Sequence, residues 1–167
     1  MVLAVVIGCN KPAANISFNK LLKSQPYTVL MFIAPDCPLC KTLSTPYKEL
    51  ALKYPEIQFL AVHSGENYES MEINMFATEN NFDIPIFRDY YYEVAHQFKA
   101  TITPEFIVVD SAGQTHYQGL LDDRILDLGS YKQQWSKHHL VDALEAITND
   151  NTPAITKTDA VGCVLEY

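Results

Sequence analysis

Apolar runs rich in β-branched and aromatic residues alternate along this chain with segments of helical period. That alternation restricts the fold more than any other feature. "YTVLMFIA" (27–34), "IQFLAVHS" (57–64) and "IPIFRD" (84–89) read as strands. "PLCKTLSTPYKELALKY" (38–54), "YESMEINMFATEN" (68–80) and "YYEVAHQFKA" (91–100) read as the helices between and after them. In the first of these Leu39, Leu43, Tyr47, Leu50 and Tyr54 recur at spacings of three and four and share a face. Pro46 removes a backbone donor there and predicts a kink. "EFIVVD" (105–110) and "THYQGLL" (115–121) are joined by a short gap containing Gly113, which predicts a hairpin. "HHLVDALEAIT" (138–148) predicts a closing amphipathic helix through Leu140, Leu144 and Ile147. The order predicts an α/β domain: a central mixed sheet ending in an antiparallel hairpin, with helices on both faces.

With 167 residues, 48% of them hydrophobic and 19% charged, the chain is long enough for one well-packed domain. A net charge of −8 argues against nucleic acid as a partner, which calls for a basic surface. No apolar run reaches the length of about 18 residues that a spanning helix needs. The opening "MVLAVVIGC" followed by polar "NKPAAN" resembles a bacterial lipoprotein signal, with Cys9 as the acylated residue. The stretch is short and lacks a positive start, which a translation start further upstream accounts for. The expected organisation is a signal-like segment and tether over 1–15, a folded domain over 16–149, and a tail over 150–167 packed on it. Membrane attachment is expected only through a lipid at Cys9, on the extracytoplasmic face. If the segment is instead a buried strand with a packed Cys9, the protein is cytoplasmic.

"APDCPLCK" sets Cys37 and Cys40 two residues apart where the first strand gives way to the first long helix. Three chemistries use such a pair. Structural zinc asks for a second pair or matched histidines, and neither Cys163 nor the adjacent His138 and His139 supplies them. A purely structural disulfide here closes a very short loop and gains little from chain entropy. A redox-active dithiol explains the position. A helix N-terminus favours the thiolate, so Cys37 is the expected nucleophile. Cys40, one turn in, is the expected resolving thiol. Pro38 suits the first helical turn, where no donor is lost, and with Leu39 it forms the active-site loop. Asp36 opposes the thiolate and Lys41 supports it, a balance that spacing leaves open.

The strand, the CxxC-Lys opening a Pro-containing helix, and "ATITPEFIVVDSAGQTHYQG" (100–119) together resemble the thioredoxin superfamily. The similarity is greatest to its redoxin-like branch of bacterial extracytoplasmic thiol–disulfide oxidoreductases. "YQGLLDDRILDLG" (117–129), "HLVDALEAI" (139–147) and "TKTDAVGCVL" (156–165) resemble elements of a bacterial redoxin subgroup. The resemblance implies a thioredoxin-like fold in which Pro104 is the cis-proline beside the dithiol. It implies that the Thr103 backbone pairs with an incoming peptide strand. It implies protein disulfide or dithiol substrates, a redox partner protein for turnover, and no cofactor. The chain departs from thioredoxin in its Pro-Leu dipeptide and in Met31, which stands where thioredoxin has a buried Asp. Leu43 stands where cytochrome-maturation relatives carry a Glu, so no acid–base helper for the dithiol is evident. "PDCPLC" also lacks the Thr of a peroxiredoxin loop.

The function expected is thiol–disulfide exchange through Cys37 and Cys40. The alternatives are a peroxide-reducing redoxin using Cys37 and a non-catalytic binding module with a structural disulfide. Val161, Val164 and Leu165 flank Cys163, which predicts that this Cys packs into an apolar groove, stays reduced and is inert. The competing reading makes it a further redox partner of Cys37 or Cys40. His63 and His96 are expected as packing or surface residues, Asp122, Asp123 and Arg124 as a solvated turn, and Tyr90, Tyr91 and Tyr92 as packing at a helix start. The cysteine spacing is wrong for copper delivery.

Overall fold

A computed structural model describes residues 17–165 and 167. Cys9 and the signal-like segment lie outside the described residues. In chain order the elements are α1 (Phe18–Leu22), β1 (Tyr27–Phe32), α2 (Pro38–Lys53), β2 (Gln58–Ser64), α3 (Ser70–Glu79), β3 (Ile86–Asp89) and α4 (Glu93–Phe98). The second half supplies β4 (Ile102–Thr103), β5 (Glu105–Asp110), β6 (Thr115–Gly119), β7 (Ile125–Asp127), β8 (Ser130–Tyr131), α5 (His139–Thr148) and β9 (Cys163–Val164).

The five-stranded sheet has the order β3-β2-β1-β5-β6. β1 pairs in parallel with β2 and antiparallel with β5, so the sheet is mixed at its centre. β5 and β6 form the predicted hairpin. Alternation along the strands divides the core. Val29, Met31, Phe106 and Val108 face one way and pack with α2, α3 and α5, in the layer that holds Cys37 and Cys40. Leu30, Phe32, Ile107 and Val109 face the other way and meet α1 and α4. Tyr47 lies at the centre of the first layer, fully buried, with Phe59 and Phe106 against its ring. Its hydroxyl is 2.9 Å from the carbonyl oxygens of both Val29 and Leu60, so its one polar atom is partnered inside the core.

The 91–100 helix is shorter than its pattern predicts. Asp89 accepts the N–H groups of Val94 (3.1 Å) and Ala95 (2.9 Å), and Tyr92 turns into left-handed conformation at φ 58°, which delays the start to Glu93. Lys99, also left-handed, ends it. Tyr90 and Tyr91 are consequently exposed, contrary to the expected packing, while Tyr92 reaches over Gly65.

The tail has no helical period but it is ordered by pairing. Thr158 N–H donates to Gln118 O (3.0 Å), and Gln118 N–H donates to Thr156 O (2.9 Å). The Thr158 hydroxyl oxygen accepts from Leu120 N–H at 2.8 Å and lies 2.9 Å from the Tyr117 hydroxyl. Further on, β9 pairs antiparallel with β4, and Leu165 N–H donates to Thr101 O at 2.8 Å. No helix among the described residues is long and apolar enough to cross a membrane.

Candidate active site

Strand β1 leaves the sheet at Phe32, and a turn with Cys37 N–H on Ala34 O (3.1 Å) brings the chain to the start of α2. Cys37 occupies the N-cap with extended backbone (φ −72°, ψ 115°), and Pro38 follows in the first turn. Cys37 therefore stands at a helix start, where unpaired N–H groups favour an anion. Pro38 is exposed, and Leu39 is buried beneath it. Cys37 and Cys40 are both fully buried free thiols.

The Thr103–Pro104 peptide is cis, and Thr103 and Pro104 are buried beside the dithiol. Cys37 Sγ lies 3.1 Å from Thr103 O, a contact its protonated form makes as a donor. On its other side the Cys163 thiol donates to Cys37 Sγ at a sulfur–sulfur distance of 3.0 Å. This corrects the expected placement: Cys163 lies against Cys37 and not in an apolar groove of its own. Cys163 is half-buried and is part of the site, because β9 sets it opposite Thr103 in register.

These contacts split the three thiols. Hydrogen bonding from Cys40 lowers the Cys37 pKa against the opposing effect of burial, and the Cys163 thiol lowers it further, to about 5. Cys40 is held well above its usual value, first by burial and then by its proximity to Cys37. Cys163 is pushed up to about 12 for the same two reasons. The groups that lower the Cys37 pKa are the neighbouring thiols and their backbone, not Lys41.

Beside Cys163 a cavity of about 270 Å³ is lined by Asp36, His63, Tyr68, Thr103, Cys163 and Leu165, among others. His63 is buried with Nδ1 unpartnered, and burial together with the Arg88 charge lowers its pKa to about 4. It is therefore neutral at neutral pH. Met31 is fully buried in the apolar layer that contains the dithiol. Asp122, Asp123 and Arg124 form part of another loop, and the solvated turn expected there is corrected. Asp122 is 3% exposed, Arg124 binds it through Nε (2.9 Å) and Nη2 (2.6 Å), and the guanidinium lies over Trp135. No group of three or more His, Cys, Asp or Glu that could hold a metal occurs among the described residues.

The structure brings Cys37, Cys40, Thr103 and Pro104 together, and sets Cys163, expected in a groove of its own, against Cys37. The available signal was Gly162 next to it. A Cβ at Gly162 would collide with the Thr103 carbonyl, so that glycine marks a close backbone approach.

Comparison with known proteins places this geometry in context. The model of the thioredoxin-like family matches residues 25–115. No curated protein matches the chain. Among solved structures, an uncharacterized conserved protein from Geobacillus kaustophilus is 26% identical, with a TM-score of 0.73 over 87% of this chain and 79% of that one. A hypothetical protein from Sinorhizobium meliloti is 19% identical, with a TM-score of 0.74 over 88% and 82%. StoA from Bacillus subtilis is 19% identical, with a TM-score of 0.51 over 59% and 75%. The mixed sheet with helices on both faces is a thioredoxin-like fold.

Proposed function

From the premise that the chain belongs to the thioredoxin-like family, we propose that it is a thiol–disulfide oxidoreductase exchanging disulfides with protein partners through Cys37 and Cys40. The observation that carries this is the pairing of a low-pKa Cys37 at a helix start with a buried, high-pKa Cys40 beside a cis-proline. One thiol is ready as thiolate and the other holds its proton until a mixed disulfide forms.

In the reductive direction, the Cys37 thiolate attacks one sulfur of a partner disulfide, and the partner's other sulfur leaves as thiolate and takes a proton. Cys40 then loses its proton and attacks Cys37 Sγ, and the second partner sulfur leaves. The partner gains two electrons and the chain holds a Cys37–Cys40 disulfide. A second redox protein, running the same exchange in reverse, restores the dithiol. The short loop of Pro38 and Leu39 keeps the two sulfurs within reach throughout.

The reduction potential of the Cys37–Cys40 couple tests the reading. A catalytic pair lies well above about −300 mV, whereas a value below it would mark a structural bond and a binding module. Rapid turnover of peroxide with no disulfide exchange would favour the peroxide-reducing alternative. We further place the protein on the extracytoplasmic face, held by a lipid at Cys9. Cys9→Ala in a product made from an upstream start should become soluble, and an unprocessed cytosolic product would end that idea.

A further inference from the structure

In this structure Cys37 has no exposed surface, yet a partner's sulfur must reach something. The chain's own C-terminal strand lies directly against it, beside the Thr103 carbonyl. β9 runs antiparallel to β4 with Cys163 opposite Thr103, on the backbone edge beside the cis-proline. Cys163 is half-buried, its Sγ is 3.0 Å from Cys37 Sγ, and with Thr103 it lines a cavity of about 270 Å³. The strand is fixed on both sides of this cysteine. Thr158 ties it to Gln118, Leu165 ties it to Thr101, and the Tyr167 ring stacks on His96 at 4.5 Å. Gly162 lets the backbone approach so closely that any side chain there would strike the Thr103 carbonyl. An ordinary packed cysteine requires none of this.

We propose that Cys163 is a third redox-active thiol of the site, the built-in exchange partner of Cys37 and the sulfur through which protein partners are met. The inference rests on the disulfide-exchange reading above. Starting from the Cys37–Cys40 disulfide, Cys163 loses its proton and its sulfur attacks Cys37 Sγ. The Cys37–Cys40 bond breaks, and Cys40 leaves as thiolate and takes up a proton. Nothing is oxidised or reduced overall, because the disulfide has moved to Cys37–Cys163. A partner dithiol then attacks Cys163 Sγ, and Cys37 leaves as thiolate. The partner's second thiolate attacks its own bridged sulfur and releases Cys163, which takes a proton. The partner has lost two electrons, and the chain is left with three reduced sulfurs. Attack falls on Cys163 for two reasons: it is the accessible sulfur, and the leaving thiolate is then Cys37, the least basic of the three.

Disulfide mapping of the full chain decides the matter. The reduced protein is treated with oxidised glutathione, acid-quenched, alkylated and digested without reduction. The expected result is a Cys37–Cys163 peptide beside the Cys37–Cys40 peptide in the unaltered chain. That peptide should become the main linkage in Cys40→Ala and be lost in Cys163→Ser, where Cys37–Cys40 persists. Gly162→Ala should reduce its share by pushing the strand outward. If Cys37–Cys40 forms normally in the unaltered chain but Cys163 is recovered only as alkylated thiol, the third-thiol proposal falls and the exchange reading stands. If Cys37–Cys40 does not form either, both fall. The unaltered chain alone distinguishes these outcomes, so the test does not depend on any variant folding.

Discussion

At Cys37, burial and hydrogen bonding pull in opposite directions. Burial disfavours the thiolate, while the Cys40 thiol and then the Cys163 thiol stabilise it as donors. Removing one donor should therefore move the balance. In Cys163→Ala the ultraviolet thiolate absorbance of the reduced chain should titrate at higher pH than in the unaltered chain, whose midpoint is expected at about 5. An unchanged midpoint would mean that Cys163 contributes nothing to the ionisation. Much of this site was legible from residues close in sequence. Cys37 and Cys40 are singled out by their spacing at a strand-to-helix junction, and Thr103 and Pro104 only by the resemblance to the thioredoxin superfamily. Cys163 was legible only as a competing reading, with Gly162 as its one local sign, since it lies 126 residues beyond Cys37 and the register of β9 brings it there. Local apolar neighbours predicted burial for it, but they carry no information about which surface the strand meets.

At the level of elements, the tail is held by a small number of polar contacts. Thr158 Oγ1 accepts from Leu120 N–H and meets the Tyr117 hydroxyl, whose own proton reaches Leu120 O at 2.6 Å. Gly119, at φ 142°, has no room for a Cβ against Thr158, which allows the edge strand to lie so close to the tail. Thr158→Val keeps the shape and removes the acceptor, so Leu120 N–H loses its partner. The expected cost is about 1–2 kcal/mol. It should appear as a lower denaturation midpoint at unchanged slope and as faster hydrogen exchange at Leu120 and Thr158. Unaltered exchange at both amides would mean the hydroxyl is not what fastens the tail. The long elements were legible because their apolar periods of two and 3.6 continue for several repeats. The two-residue strands β4 and β9 cannot display a period, and α1 has only five residues. Such segments take their conformation from the partner they pair with, so pairing across the chain decides them.

Over the whole molecule, ionisation of one buried sulfur links redox state to stability and to pH. Cys37 has its folded pKa lowered from 9.0 to about 5. The sign follows from proton counting: between these values the unfolded reduced chain holds a proton that the folded chain has released. The resulting stabilisation of the reduced form is complete above pH 9.0 and is lost as pH falls towards 5. Cys40 and Cys163, both raised, act with the opposite sign, but only above their ordinary value of 9.0, where the unfolded chain ionises first. At pH 7 the Cys37 contribution amounts to about 3 kcal/mol, taking about 1.4 kcal/mol for each of the two units between pH 7 and 5. The Cys37–Cys40 disulfide has no such ionisation, so this contribution belongs to the reduced state and makes the couple more oxidising. Proton stoichiometry then fixes a measurable slope. Below pH 5, two electrons arrive with two protons and the potential should fall by about 60 mV per pH unit. Between pH 5 and 9 only Cys40 takes a proton, and the fall should halve to about 30 mV per unit. Redox titration against a dithiol buffer across this range should place the break near pH 5. A constant slope of about 60 mV per unit up to pH 8 would show that Cys37 stays protonated and that the three-thiol cluster does not stabilise its anion.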